Sequence, residues 1–90
     1  MENMYTYLIS YDIAEGGNYD ELFKHIKSYG TWGHITESLW AIRSSKSATE
    51  VRDEVQKFLS EGSRLMVVRS ANVAAWDNTI CTNDWLQKNI

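Results

Sequence analysis

Ninety residues carrying a formal net charge of −3, with a pI near 5.2, exclude several classes of protein at once. At this length a single core buries roughly 60% of the unfolded surface, which leaves room for one domain over residues 1–90. The 43% apolar and 23% charged residues are a globular rather than a disordered composition. Nine scattered Lys and Arg against twelve Asp and Glu disfavour a non-specific grip on duplex nucleic acid, which relies on clustered cations to neutralise phosphates.

The one cysteine, Cys81, forms neither an internal disulfide nor a cysteine metal site, so the chain reads as cytoplasmic. No charged-then-apolar leader and no apolar run of about 18 residues points to export or a membrane. Four Trp and five Tyr supply much area per residue, either to a small core or to an interface or planar ligand.

Residues 4–11 alternate Tyr5, Tyr7, Ile9 and Tyr11 with Met4, Thr6, Leu8 and Ser10, the period of a strand with its bulkier odd set facing the core. Asn18 with Glu21 three residues on predicts a capped helix carrying Tyr19, Leu22, Phe23 and Ile26, stopped at Gly30. Trp32 to Arg43 returns to strand-like spacing and is long enough for two short strands with a bend near Thr36-Glu37. Ser47 and Glu50 form a second capping box ahead of the stripe Ala48, Val51, Val55, Phe58 and Leu59. Gly62 ends that helix, and Leu65 to Arg69 is a fourth strand. The predicted order is βαββαβ, an α+β split pair. Residues 71–90 form a short strand or helix extension, with an apolar piece at Val73 to Trp76 and a helical turn around Trp85-Leu86.

Tyr11-Asp12-Ile13 at the end of the first strand, Tyr29-Gly30 after the first helix, and Glu37-Ser38-Leu39-Trp40 opening the third strand carry a resemblance. Over about residues 4–70 the chain resembles the CRISPR-associated Cas-two family and its relatives, the VapD-type toxins. It is most similar there to the SinR-like branch, where a Trp-x-His also precedes the Ser-x-Trp. The resemblance implies a ferredoxin-like protomer with a four-stranded antiparallel sheet and two helices on one face. It also implies a homodimer in which Asp12 faces its symmetry mate. In nuclease members that carboxylate pair holds a divalent metal, which makes Asp12 the metal and catalytic candidate and Mg²⁺ the one cofactor suggested. A Mg²⁺-dependent endoribonuclease is therefore one expectation.

The residues themselves suggest further chemistry. Alternation sets Ser10 and Asp12 opposite Ile9 and Tyr11, and Ser38 and Trp40 opposite Leu39 and Ala41. With Leu39 and Ala41 beneath the helices, Ser10, Asp12, Ser38 and Trp40 are expected on the open sheet face, covered by a second subunit, the tail or a ligand. His34 is a candidate acid or base, because its ordinary pKa is near neutrality. Trp32, His34 and Trp40, separated by even steps, form a candidate base-stacking platform. Arg43, Lys46, Arg64 and Arg69 near the strand ends are the candidate phosphate contacts. The leading expectation is a homodimer or higher oligomer binding a nucleotide or short nucleic acid, one concrete form being to sequester a nucleotide signal as small phage counter-defence proteins do. A purely protein-binding module is the remaining alternative.

Overall fold

The structure, a computed structural model, describes residues 3–90. Residues 1–2 of the predicted domain lie outside the described residues. Seven elements follow in order: β1 (Tyr5–Asp12), α1 (Tyr19–Lys27), β2 (Trp32–Thr36), β3 (Leu39–Ser44), α2 (Ala48–Gln56), β4 (Arg64–Arg69) and α3 (Asn83–Asn89). The strands make one antiparallel sheet in the order β2-β3-β1-β4. Because β3 and β4 each run antiparallel to β1, their last residues meet at the start of β1.

Alternation in β1 works as expected. Tyr7, Ile9 and Tyr11 are buried against Leu22 and Ile26 of α1 and Val51 and Val55 of α2. Burying such side chains stabilises by about 1.5–3 kcal/mol each. Asn18 caps α1 by accepting from the Glu21 amide at 3.2 Å. Helix α1 ends at Lys27, three residues before Gly30. Tyr29 and Gly30 donate to carbonyls three residues back, a tightened last turn, and Gly30 then reverses the chain at φ +96. Ser47 and Glu50 form both bonds of the predicted capping box on α2. That helix ends at Gln56, because Phe58 and Leu59 also bond three residues back.

The second sheet face departs from expectation. Ile9 lies opposite Trp40 in the β1–β3 register, and directly opposed residues share a face. Trp40 therefore sits beneath the helices, and Leu39 and Ala41 face the other way. That second face is covered over β2 and β3 by α3, whose Leu86 packs with Ile35 and Ala41, joined by Leu8, Trp76, Trp85 and Ile90. Trp85 lies so close over Gly33 that a Cβ there would come within 2.7 Å of its ring. Thr82 caps α3, and the amides of Ile80 and Cys81 donate to the carbonyls of Ile35 and His34, closing the β2 edge. The piece Val73 to Trp76 forms neither strand nor helix, and Val73 is fully in solvent.

Candidate functional site

The predicted site residues fall in three places. Asp12 and Ser38 lie at one end of the sheet, both exposed. Asp12 faces Arg64 at 3.7 Å across a solvent-exposed ion pair of little energetic weight. Among the described residues no group of three or more His, Cys, Asp or Glu side chains gathers to hold a metal. One copy thus offers Mg²⁺ a single carboxylate beside a guanidinium, a donor set that does not fit a six-coordinate cation.

Trp32, His34 and Trp40 do share a face, because a register shift between His34 and Thr36 sets His34 opposite Trp40 and Trp32 opposite Ile42. It is the helix-covered face, however, and the expectation of an open Trp40 is overturned. Trp40 is 2% exposed, its ring stacked on His34 at 4.0 Å and 8° and tilted against Phe23 at 5.1 Å. Its indole N–H donates to Tyr11 Oη at 3.1 Å. No face of this ring is left for a nucleobase. His34 points Nε2 at the Glu37 carbonyl, 3.1 Å away, so that nitrogen carries the proton and Nδ1 is the basic one. Trp32 is 37% exposed, with the Lys27 ammonium 5.0 Å above its ring. His34 is partly exposed beside it, so Trp40 is the one fully buried member of the trio.

Arg43 and Arg69 lie at the opposite end from Asp12, on opposite faces of the sheet, since Arg43 stands opposite Thr6 and Arg69 opposite Tyr7. The ends of β3 and β4 flank the start of β1, and residues of all three strands line a polar cavity of about 350 Å³ that includes Tyr5, Thr6, Arg43, Arg69, Ser70 and Asn72. Arg43 donates to Thr6 Oγ1 at 2.8 Å, to the Met4 carbonyl at 3.3 Å and to the Asn89 carbonyl at 3.5 Å. The Arg69 guanidinium lies 3.8 Å from the centre of the Tyr5 ring. Among the described residues neither arginine is paired with a carboxylate. Lys46 lines an adjoining cavity of about 450 Å³ that shares Tyr5 and Arg69. Sequence spacing singled out the arginines. It gave no sign of Tyr5, Thr6, Ser70 or Asn72, whose place depends on strand order.

A second polar cluster escaped the sequence reading. Tyr29 Oη donates to Glu54 Oε1 at 2.7 Å, leaving its oxygen to accept from His25 Nε2 at 3.1 Å, and Lys46 Nζ bonds the other Glu54 oxygen. His25 also stacks on Phe58 at 4.5 Å. Burial, and then the Glu54 carboxylate, push the Tyr29 phenol up. The Lys46 bond holds Glu54 below its ordinary 4.5, with burial opposing and the Tyr29 bond assisting. Burial lowers His25 from 6.5 against the pull of Glu54, with Lys46 and Lys57 assisting. Both shifts favour the folded state at higher pH. The His25 contribution is present above 6.5 and lost as pH falls below it, and that of Glu54 is lost below 4.5. Melting temperature is therefore expected to fall between about pH 7.5 and about pH 5, and His25→Phe to flatten that fall. An unchanged slope in His25→Phe would show that another group carries it.

No helix among the described residues is long and apolar enough to cross a membrane. No protein-family model and no solved structure matches the chain.

Proposed function

We propose that this chain is a cytoplasmic, Cas-two-like homodimer that binds a nucleotide or short nucleic acid and acts by sequestering it. We assign its core over residues 4–70 to the ferredoxin-like arrangement. The strand order β2-β3-β1-β4, with α1 and α2 packed on one face, supports that assignment.

The observation that carries the binding reading is a pair of arginines at one end of the sheet, Arg43 on the α3 face and Arg69 over Tyr5 on the other, whose partners among the described residues are neutral rather than carboxylate. Guanidinium groups with spare donors are suited to phosphate oxygens. A compact site also suits an acidic protein better than an extended polyanion track does. The dimer reading draws on β4. Its outer edge pairs with no described strand, and Met66 and Val68 are 64% and 44% exposed beyond the reach of α3.

Native mass spectrometry of protein purified from cells tests both parts together, reading subunit number and any co-purifying nucleotide. Calorimetry with mono-, di- and cyclic nucleotides then tests the site. Arg69→Gln is expected to weaken binding about tenfold or more, in a salt-sensitive way, because a hydrogen bond to a charged group contributes about 1.5–3 kcal/mol. A monomer that binds no nucleotide would sink the proposal.

A further inference from the structure

The outer edge of β2 carries an aromatic cleft over unpaired backbone. The Arg43 amide donates to the Thr31 carbonyl, so in this antiparallel pair Thr31 and Gly33 turn their backbone groups toward β3, and Trp32 and His34 turn theirs outward. Part of that edge is covered, because the amides of Ile80 and Cys81 donate to the carbonyls of Ile35 and His34. The cover ends short of Trp32. Among the described residues the N–H and C=O of Trp32 and the N–H of His34 have no hydrogen-bond partner. An open cleft of about 330 Å³ lies beside them, with Trp32, His34, Ile80, Thr82 and Trp85 in its lining. Trp85 stands over Gly33 on the α3 face, and Trp32 leaves the strand toward the helix-covered face.

Shape and chemistry narrow the ligand. A bare strand edge pairs with any extended chain, but here indoles rise on both sides and Ile80-Cys81 closes one end, which suits a flat ring better than a strand. An outward N–H and C=O on one residue match a ring edge that carries an acceptor next to a donor. A nucleobase has such an edge and a π-face for the indoles. The volume is at the small end of ligand sites and takes one nucleoside rather than a strand. The exposed Lys27 ammonium, 5.0 Å above the Trp32 ring and paired with no carboxylate among the described residues, supplies a cation at the rim. We propose that this cleft is a nucleobase subsite, in which the base lies against Trp32 and Trp85, the Trp32 main chain reads its edge, and Lys27 meets the phosphate. The inference rests on the nucleotide-binding reading above for the class of ligand, while its place is independent of the two arginines.

The forces divide between affinity and selection. The outward Trp32 groups exchange bonds with water for bonds with the base, so their net gain is small and they act mainly by rejecting a ring that leaves them unpaired. Stacking on the indoles carries the affinity and tolerates any base. Lys27 adds an attraction that only the phosphorylated ligand feels and that salt screens.

The test combines calorimetry with amide and indole N–H chemical shifts on the full chain. The probes are the adenine, cytosine, guanine and uracil nucleoside 5′-monophosphates, the nucleoside of whichever binds most tightly, and ribose 5-phosphate. That monophosphate is expected to move the amides of Trp32 and His34 and the indole N–H of Trp85, and ribose 5-phosphate to leave them in place. Trp32→Ala should weaken it about fivefold or more. Ile80→Trp should abolish binding by filling the cleft, and because Ile80 is 61% exposed its side chain can be enlarged without disturbing the core. Lys27→Gln should bring the monophosphate down to the affinity of the nucleoside, and Arg69→Gln should leave the shifts at Trp32 unchanged. Should Trp32→Ala fold poorly, the two surface variants at Ile80 and Lys27 carry the test.

A monophosphate that binds Ile80→Trp with full affinity, or that moves the amides of Arg43 and Arg69 rather than that of Trp32, would overturn the cleft while leaving nucleotide binding intact. Ribose 5-phosphate binding as tightly as the monophosphate would overturn the base subsite and keep an anion site. A preference for the monophosphate over its nucleoside that survives in Lys27→Gln would remove Lys27 from the site. Binding of no probe would remove both the subsite and the nucleotide reading.

Discussion

Trp40→Ala is expected to cost about 3–5 kcal/mol of folding stability, the range for removing a large aromatic ring from a packed core. The indole is 2% exposed and packs among Phe23, Trp32 and His34. Its removal opens a cavity under α1 and takes away the N–H donor to Tyr11 Oη. For a domain of this size each kcal/mol lowers the melting temperature by about 4–8 °C, so the variant should be close to unfolding under ordinary conditions. Trp32→Ala makes a useful contrast. That ring is 37% exposed and loses chiefly its contact with Trp40 and the Lys27 ammonium, so its cost should be several-fold smaller. Urea denaturation of both variants is the measurement. If Trp40→Ala unfolds within about 1 kcal/mol of the wild type, the ring is not a core element.

The misplacement of Trp40 by sequence reasoning has a specific cause. In β1, Thr6, Ser10 and Asp12 mark one face as more polar, so the odd residues are assigned inward without ambiguity. In β3 the run Leu39-Trp40-Ala41-Ile42 is apolar throughout, because helices cover one face and α3 covers the other. A strand buried on both sides carries no alternation from which to read its faces. Register against β1 decides the matter, and register is a tertiary fact. The arginine cavity was legible only in part. Arg43 and Arg69 each end a predicted strand, but their common place beside the start of β1 depends on β1 lying between β3 and β4. The same order separates them from Asp12, seven residue steps along β1 from Tyr5, or about 23 Å at ordinary strand rise. Asp12 and the two arginines therefore do not form one site within a single copy. The Tyr29–Glu54 bond joins the turn after α1 to α2 and has no periodic signature at all.

Leu86→Ala tests how independent the last helix is. Leu86 is 1% exposed, and within α3 it is the fully buried residue that anchors the helix on Ile35 and Ala41. Removing its methyl groups from a well-packed contact costs about 2–5 kcal/mol. How that loss appears depends on what unfolds. Segment 70–82 contains no helix or strand, and beyond the Ser70 amide bond to the Thr6 carbonyl at its start, its backbone ties to the sheet are the bonds from Ile80 and Cys81 to β2. The helix can therefore open by itself while the four strands, held under α1 and α2, remain paired. Amides of Asn83–Asn89 are expected to exchange about 30-fold faster or more, the equivalent of 2 kcal/mol, with β1 and β3 protected as before. Release would also uncover Leu8, Ile35, Leu39 and Ala41 beside the already exposed Met66 and Val68, creating one apolar sheet face. The variant should consequently self-associate more strongly than the wild type at equal concentration. An equal loss of protection in β1 and α3 would show instead that the helix and the sheet unfold as one unit, and that α3 belongs to the core rather than acting as a separable cover.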